Sequence, residues 1–154
     1  MKIAIGCDEN GYAMKEAIKA HLTELGVEYE DYGCGPEEKV LYPEIARRVA
    51  VGIMEGKHER GILICGTGVG MAITANKFPG IKAATCHDIY SAERARKSNN
   101  AQIITFGAQV IGTVLANKLV DAWLASEFAG GRSQPKVDLM DQIDQEYRSA
   151  SRSS

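Results

Sequence analysis

In GILICGTGVGMAITANK, residues 61–77, a cysteine closes an apolar run at the head of a glycine-rich turn. Cys65 is followed at once by Gly66, Thr67, Gly68, Val69 and Gly70. Glycines at this spacing let successive backbone N–H groups point one way. A row of N–H groups opening a helix favours an anion, either a bound phosphate or an oxyanion formed during reaction. A thiol in the same place has its thiolate stabilised, which suits a base or a nucleophile. The competing reading makes Cys65 a small buried residue that ends a strand. GTGVG is not GxGxxG, because its third glycine comes one residue early, and no Asp or Glu is placed to read a ribose. Nor does it match GxxxxGK[ST], so dinucleotide and nucleoside triphosphate sites are disfavoured.

The other candidates are less pointed. Cys7, Cys34 and Cys86 lie where strands end but precede no glycine nest, so packing is the expectation for each. No CxxC pair occurs, which argues against zinc and redox-motif readings, and free thiols are expected in a reducing compartment. His87 and Asp88 follow an apolar run; the histidine could shuttle protons or hold a structural hydrogen bond. His21 and His58 are expected in solvent, as are Arg47, Arg48, Arg94 and Arg96 on helix faces. Arg132 and Lys136 lie in the glycine-broken stretch AGGRSQPK, from which side chains can reach a ligand or a second subunit.

The elements that must position these groups alternate. Apolar strand patterns occupy 2–7, 27–32, 61–65, 81–86 and 101–107, and helical patterns occupy 12–25, 43–56, 70–77, 90–98 and 110–128. Pro43 suits the first turn of its helix. A last helix is expected over 137–148, with a frayed tail over 150–154 after a domain of residues 1–149. This alternation predicts an α/β fold, a single Rossmann-like three-layer αβα sandwich with a five-stranded parallel sheet and a C-terminal helix. Ligands of such sheets bind beyond the carboxyl ends of the strands. That rule gathers Asp8, Glu9, Asn10, Cys34, the turn 65–70, His87 and Gln109 along one edge.

Length and charge narrow the class. The 154 residues suit one domain, with 45% hydrophobic and 25% charged residues and a net charge of −2. No basic block favours nucleic acid, and no apolar run approaches the ~20 residues that span a bilayer. The early Asp8 is unlike a signal peptide, so a cytoplasmic protein is expected.

The stretches KIAIGCD, Tyr42-Pro43, GILICGTGVGMAITANKFPGIKAA, NNAQII, GAQVIG and FAGGR together resemble the ribose-5-phosphate isomerase type B and galactose-6-phosphate isomerase family over nearly the whole chain. The resemblance implies interconversion of aldose and ketose phosphates through a cis-enediolate, without metal or organic cofactor. It also implies a homodimer or homotetramer whose active sites are shared between chains. By resemblance Cys65 is the base, Gly66, Gly68, Val69 and Gly70 form the anion hole, and Thr67 helps move protons between the oxygens. Asp8 matches a sugar-hydroxyl ligand, Asn99 a residue near the reacting oxygens, and Tyr42 a wall of the site.

Several positions depart from that pattern. Glu9 replaces the usual histidine after the aspartate, Ser98 replaces the ring-opening histidine, and Gln109 replaces a phosphate arginine. Lys136 stands for the second basic residue after GGR, and Arg132 is retained. The departures fall on ring opening and phosphate holding, so a tetrose 4-phosphate such as D-erythrulose 4-phosphate is a candidate substrate beside ribose 5-phosphate. His87 is the alternative ring-opening group. A binding or regulatory module that has lost turnover is the competing function.

Overall fold

The computed structural model describes residues 2–153, with side chains described through residue 148. Five strands, β1 (Ile3–Cys7), β2 (Tyr29–Asp31), β3 (Gly61–Cys65), β4 (Ala83–Thr85) and β5 (Ile103–Gly107), pair in parallel in the order β2-β1-β3-β5-β4. β1, β3 and β5 are buried along their full length, because helices cover both faces of the sheet. The edge strands β2 and β4 are three residues long and partly exposed, shorter than the sequence pattern suggests.

Among the described residues six α-helices flank the sheet: α1 (Tyr12–Glu24), α2 (Tyr42–Met54), α3 (Val69–Ala75), α4 (Ile89–Lys97), α5 (Thr113–Leu124) and α6 (Gln134–Ser153). Alternate strand residues face opposite layers, as the two-residue period requires. Ile3, Ile5, Ile62, Ile64, Ile104 and Phe106 pack with Ile18, Leu22, Leu119 and Trp123 of α1 and α5. Ala4, Leu63, Cys65 and Ile103 pack with Ile45, Val49 and Met71 of α2 and α3. None of the described helices is long and apolar enough to cross a membrane.

Several local expectations change. Helix α5 is shorter than 110–128, because residues 108–112 form a turn and Arg60 stops the other end. The Arg60 guanidinium donates to the carbonyls of Trp123 (2.7 Å) and Ser126 (2.7 Å), satisfying orphan acceptors at the negative pole of the helix. Helix α6 runs over 134–153, so the expected boundary at 149 falls inside it; Ser154 lies outside the described residues. Arg96 is buried rather than solvated, donating to the Ala101 carbonyl at 2.9 Å. His58 is likewise buried, between the Tyr32 hydroxyl (2.6 Å) and the Lys2 carbonyl (2.9 Å). His21 meets Asp121 at 2.6 Å.

Loop 33–41 is clamped onto α1. Lys15 is 1% exposed, yet its ammonium donates to both Asp31 carboxylate oxygens (2.9 Å each) and to the Cys34 carbonyl (2.6 Å). Burial pushes the Asp31 carboxyl up, but the bonds from Lys15, the Gly33 N–H and Lys19 outweigh it and hold the group below its usual range.

Candidate active site

The chain leaves β1 toward β2 and returns to β3 on the other side of β1. A crevice therefore opens beyond the carboxyl ends of β1 and β3, where a doubly wound sheet takes its ligand. The loops after these strands carry Asp8-Glu9-Asn10 and Gly66-Thr67-Gly68. They lie side by side, since the Asp8 N–H donates to the Ile64 carbonyl at 3.1 Å.

Cys65 ends β3 opposite Gly107 of β5 and is 4% exposed. Its Sγ accepts the Gly68 N–H at 3.1 Å. The Val69 N–H is taken by the Thr67 hydroxyl at 3.3 Å. Among the described residues the N–H groups of Gly66, Thr67 and Gly70 have no protein acceptor, which leaves them for an anion.

The nest is shaped by backbone packing. Gly68 has φ +80°, and a Cβ there would meet the Phe106 carbonyl carbon at 2.8 Å. A Cβ on Gly107 would meet the Thr67 carbonyl oxygen at 2.6 Å. Beneath the nest, the Thr105 hydroxyl donates to the Gly68 carbonyl at 2.8 Å, and the Thr85 hydroxyl lies 2.7 Å from that of Thr105. Neither threonine stands out in a motif search. The usable signal is that Thr105 is a lone polar residue in the wholly buried strand IITFG.

Side chains form the walls. The Tyr42 ring, at the start of α2, lies over Gly70 so closely that any side chain there would overlap it. The Gln109 amide covers Gly66, its Oε1 3.0 Å from where a Cβ would sit, with Asn10 Nδ2 at 3.8 Å from the same point. Asp8 is 6% exposed and caps its own turn, Oδ1 accepting from the N–H groups of Asn10 (3.0 Å) and Gly11 (3.3 Å). Burial raises its pKa above the usual carboxylate range, the two N–H bonds offsetting part of the effect. The Glu9 carboxylate accepts the Val40 N–H at 3.4 Å and so ties this turn to loop 33–41. His87 follows β4, and its Nε2 accepts the Gly107 N–H at 2.9 Å. That bond requires a neutral ring with its proton on Nδ1. Cys7 and Cys34 are buried with Sγ atoms 3.9 Å apart, and both are free thiols.

Four expected residues are elsewhere in the chain. Ser98, Asn99, Arg132 and Lys136 lie at the opposite edge, where strands begin rather than end. α4 brings the chain down to Ser98, Ala101 precedes β5 by two residues, and the Ala129 N–H donates to the Lys97 carbonyl at 3.3 Å. The four steps of β5 alone put ~13 Å between that edge and Gly107. Glu9 and Lys136 accordingly do not pair within one chain. A groove of about 660 Å³ opens at this second edge, lined by Lys82, Asn100, Gln102, Asp144 and Arg148 among others.

Known proteins resemble this chain in sequence and fold. Residues 3–140 match the model of a family described as Ribose/Galactose Isomerase. A protein of Listeria innocua named ribose-5-P isomerase B is 61% identical over 96% of this chain and 100% of its own. A D-erythrulose-4-phosphate isomerase of Pectobacterium atrosepticum is 52% identical over 90% of this chain and 91% of its own. The solved ribose-5-phosphate isomerase B of Clostridium thermocellum superposes with a TM-score of 0.92 at 44% identity, covering 96% of this chain and 99% of that one.

Proposed function

We propose, for a chain that belongs to the ribose/galactose isomerase family, a cofactor-free aldose–ketose isomerisation of sugar phosphates in which Cys65 is the base. The observation that carries this reading is the Gly68 N–H on the Cys65 sulfur, at the mouth of a nest whose Gly66, Thr67 and Gly70 N–H groups have no protein acceptor among the described residues. The thiolate takes the proton from carbon 2 of the aldose, and the electron pair moves to the carbonyl carbon and its oxygen. The enediolate oxygen rests on the N–H groups of Gly66, Thr67 and Gly70, donors aimed where charge develops. The Thr67 hydroxyl passes a proton between the two oxygens, and the thiol returns one to carbon 1 of the ketose. Asp8 keeps a carboxylate oxygen for a sugar hydroxyl. Val69 contributes its backbone to the nest, and Tyr42, Gln109 and Glu9 bound the substrate.

A tetrose 4-phosphate is the preferred substrate. Its carbon-4 oxygen is esterified, so it forms no furanose ring and needs no ring-opening histidine at position 98. The site so read is a small-molecule site, and the free thiols fit a cytoplasmic enzyme. In deuterium oxide, deuterium should enter carbon 1 of the ketose phosphate, and kcat/KM for D-erythrulose 4-phosphate should exceed that for ribose 5-phosphate. A clear preference for the pentose would overturn the tetrose assignment. No exchange with any tetrose, pentose or hexose phosphate would favour the binding-module reading.

Two edges of one chain cannot meet, so the second half of the site is supplied by another copy. Arg132 and Lys136 then hold the phosphate, and Ser98 and Asn99 approach the reacting oxygens, in the partner's crevice. Mixing inactive Cys65→Ala chains with inactive Arg132→Ala chains should restore up to about a quarter of wild-type activity, from hybrid sites that carry neither lesion. No recovery after confirmed subunit exchange would remove the shared site.

A further inference from the structure

We infer that His87 is a positioning residue: by accepting the Gly107 N–H through Nε2, it fixes the backbone on which Thr67 and the anion nest rest. β4 ends at Thr85 while β5 continues to Gly107, so the Gly107 N–H has no strand partner on that side. The imidazole takes the place of the missing carbonyl, at 2.9 Å. Gly107 is in turn packed backbone to backbone under Thr67. A shift of Gly107 therefore shifts Thr67 and, through it, the donors to the enediolate.

This role differs from that of a ring-opening base, because the one lone pair of the neutral ring, on Nε2, is occupied by a backbone donor. It also demands a neutral ring, since protonated Nε2 has no lone pair for Gly107. Burial holds the imidazole's pKa below its usual range, in the direction the role requires. Its own loop carries Cys86 and Asp88, the latter committed to the Ser91 N–H at 2.7 Å. Across β5 the titratable group is Cys65; turn 108–112, α3 and the start of α5 before Lys118 have none.

The inference rests on the proposed isomerase reading, and glutamine and asparagine replacements test it separately. Glutamine places an amide oxygen near the position of Nε2, whereas asparagine reproduces the Nδ1 side and cannot reach Gly107. His87→Ala and His87→Asn should lower kcat about tenfold with KM nearly unchanged, and His87→Gln should recover to within about threefold. Wild-type kcat should fall more steeply at acid pH than thiol protonation alone allows, with the extra loss centred below the ordinary imidazole value of about 6.5, and His87→Gln should lose that extra loss while keeping the thiol's limb. Rescue by asparagine but not glutamine, or full activity in His87→Ala, would overturn the role. Nitrogen-15 spectra of the wild-type imidazole provide a readout independent of turnover. They should show the proton on Nδ1, and a proton on Nε2 would equally overturn it. If instead Cys65→Ala kept its rate, the isomerase mechanism would fail while the tautomer result stood.

Discussion

Cys65→Ala should lower kcat/KM by about a thousandfold, the contribution of a well-placed general base. The fold should survive. The lost sulfur leaves the Gly68 N–H unpaired, which costs about 1–3 kcal/mol and a Tm decrease of several degrees. Cys65→Ser separates chemistry from packing. A hydroxyl keeps an acceptor for Gly68 and nearly the same shape, so stability should return while turnover does not. Iodoacetate should inactivate the wild type, and a bound sugar phosphate should protect it. Retention of more than about a tenth of the rate by the alanine variant would remove Cys65 as the base. Inactivation indifferent to bound substrate would place the reactive thiol elsewhere.

The second large effect is expected at Gly68. An L-residue at φ +80° costs about 1–2 kcal/mol. Here the added methyl also meets the Phe106 backbone at 2.8–3.1 Å, which no rotamer change relieves. Gly68→Ala should therefore lose ~3 kcal/mol or more of stability and, by turning its N–H away from Cys65, at least a hundredfold in kcat. Gly26→Ala and Gly80→Ala are the controls. Both glycines have positive φ, +73° and +76°, with open space where the methyl would go. Each should cost about 1 kcal/mol and leave catalysis unchanged. Equal effects at all three positions would show that φ alone, and not the contact with β5, makes Gly68 necessary.

The central strands and the edge that bears Cys65 were legible in the sequence because buried parallel strands are continuous apolar runs. GILIC and IITFG can be read as strands without any tertiary information. The edge strands were legible too, but not their lengths, since half-exposed Tyr29 to Asp31 and Ala83 to Thr85 depend on their neighbours for pairing. Helix ends set by distant side chains were also hidden, as Arg60 lies over sixty residues before the carbonyls it caps. The site divided in the same way. Cys65 and its glycines form one local motif. Ser98, Asn99, Arg132 and Lys136 are picked out by alignment to the family pattern, which Ser98 departs from, yet only the direction of α4 and the start of β5 place them at the far edge.

The contact of Gly107 beneath Thr67 has a consequence for how such an enzyme changes over time. The groups proposed to carry the proton transfers are one thiol, one hydroxyl and a set of backbone amides shaped by glycines. The groups proposed to meet the rest of the sugar are side chains around the nest, Glu9, Tyr42 and Gln109, with Ser98 and Arg132 proposed to come from a second chain. Substitution among the latter leaves the amide geometry untouched, because no side chain of theirs builds it. Preference for chain length or for the anionic end of a substrate is thus free to drift by single substitutions while the isomerisation step is preserved. Lineages of this fold should diverge in what they isomerise well before they cease to isomerise.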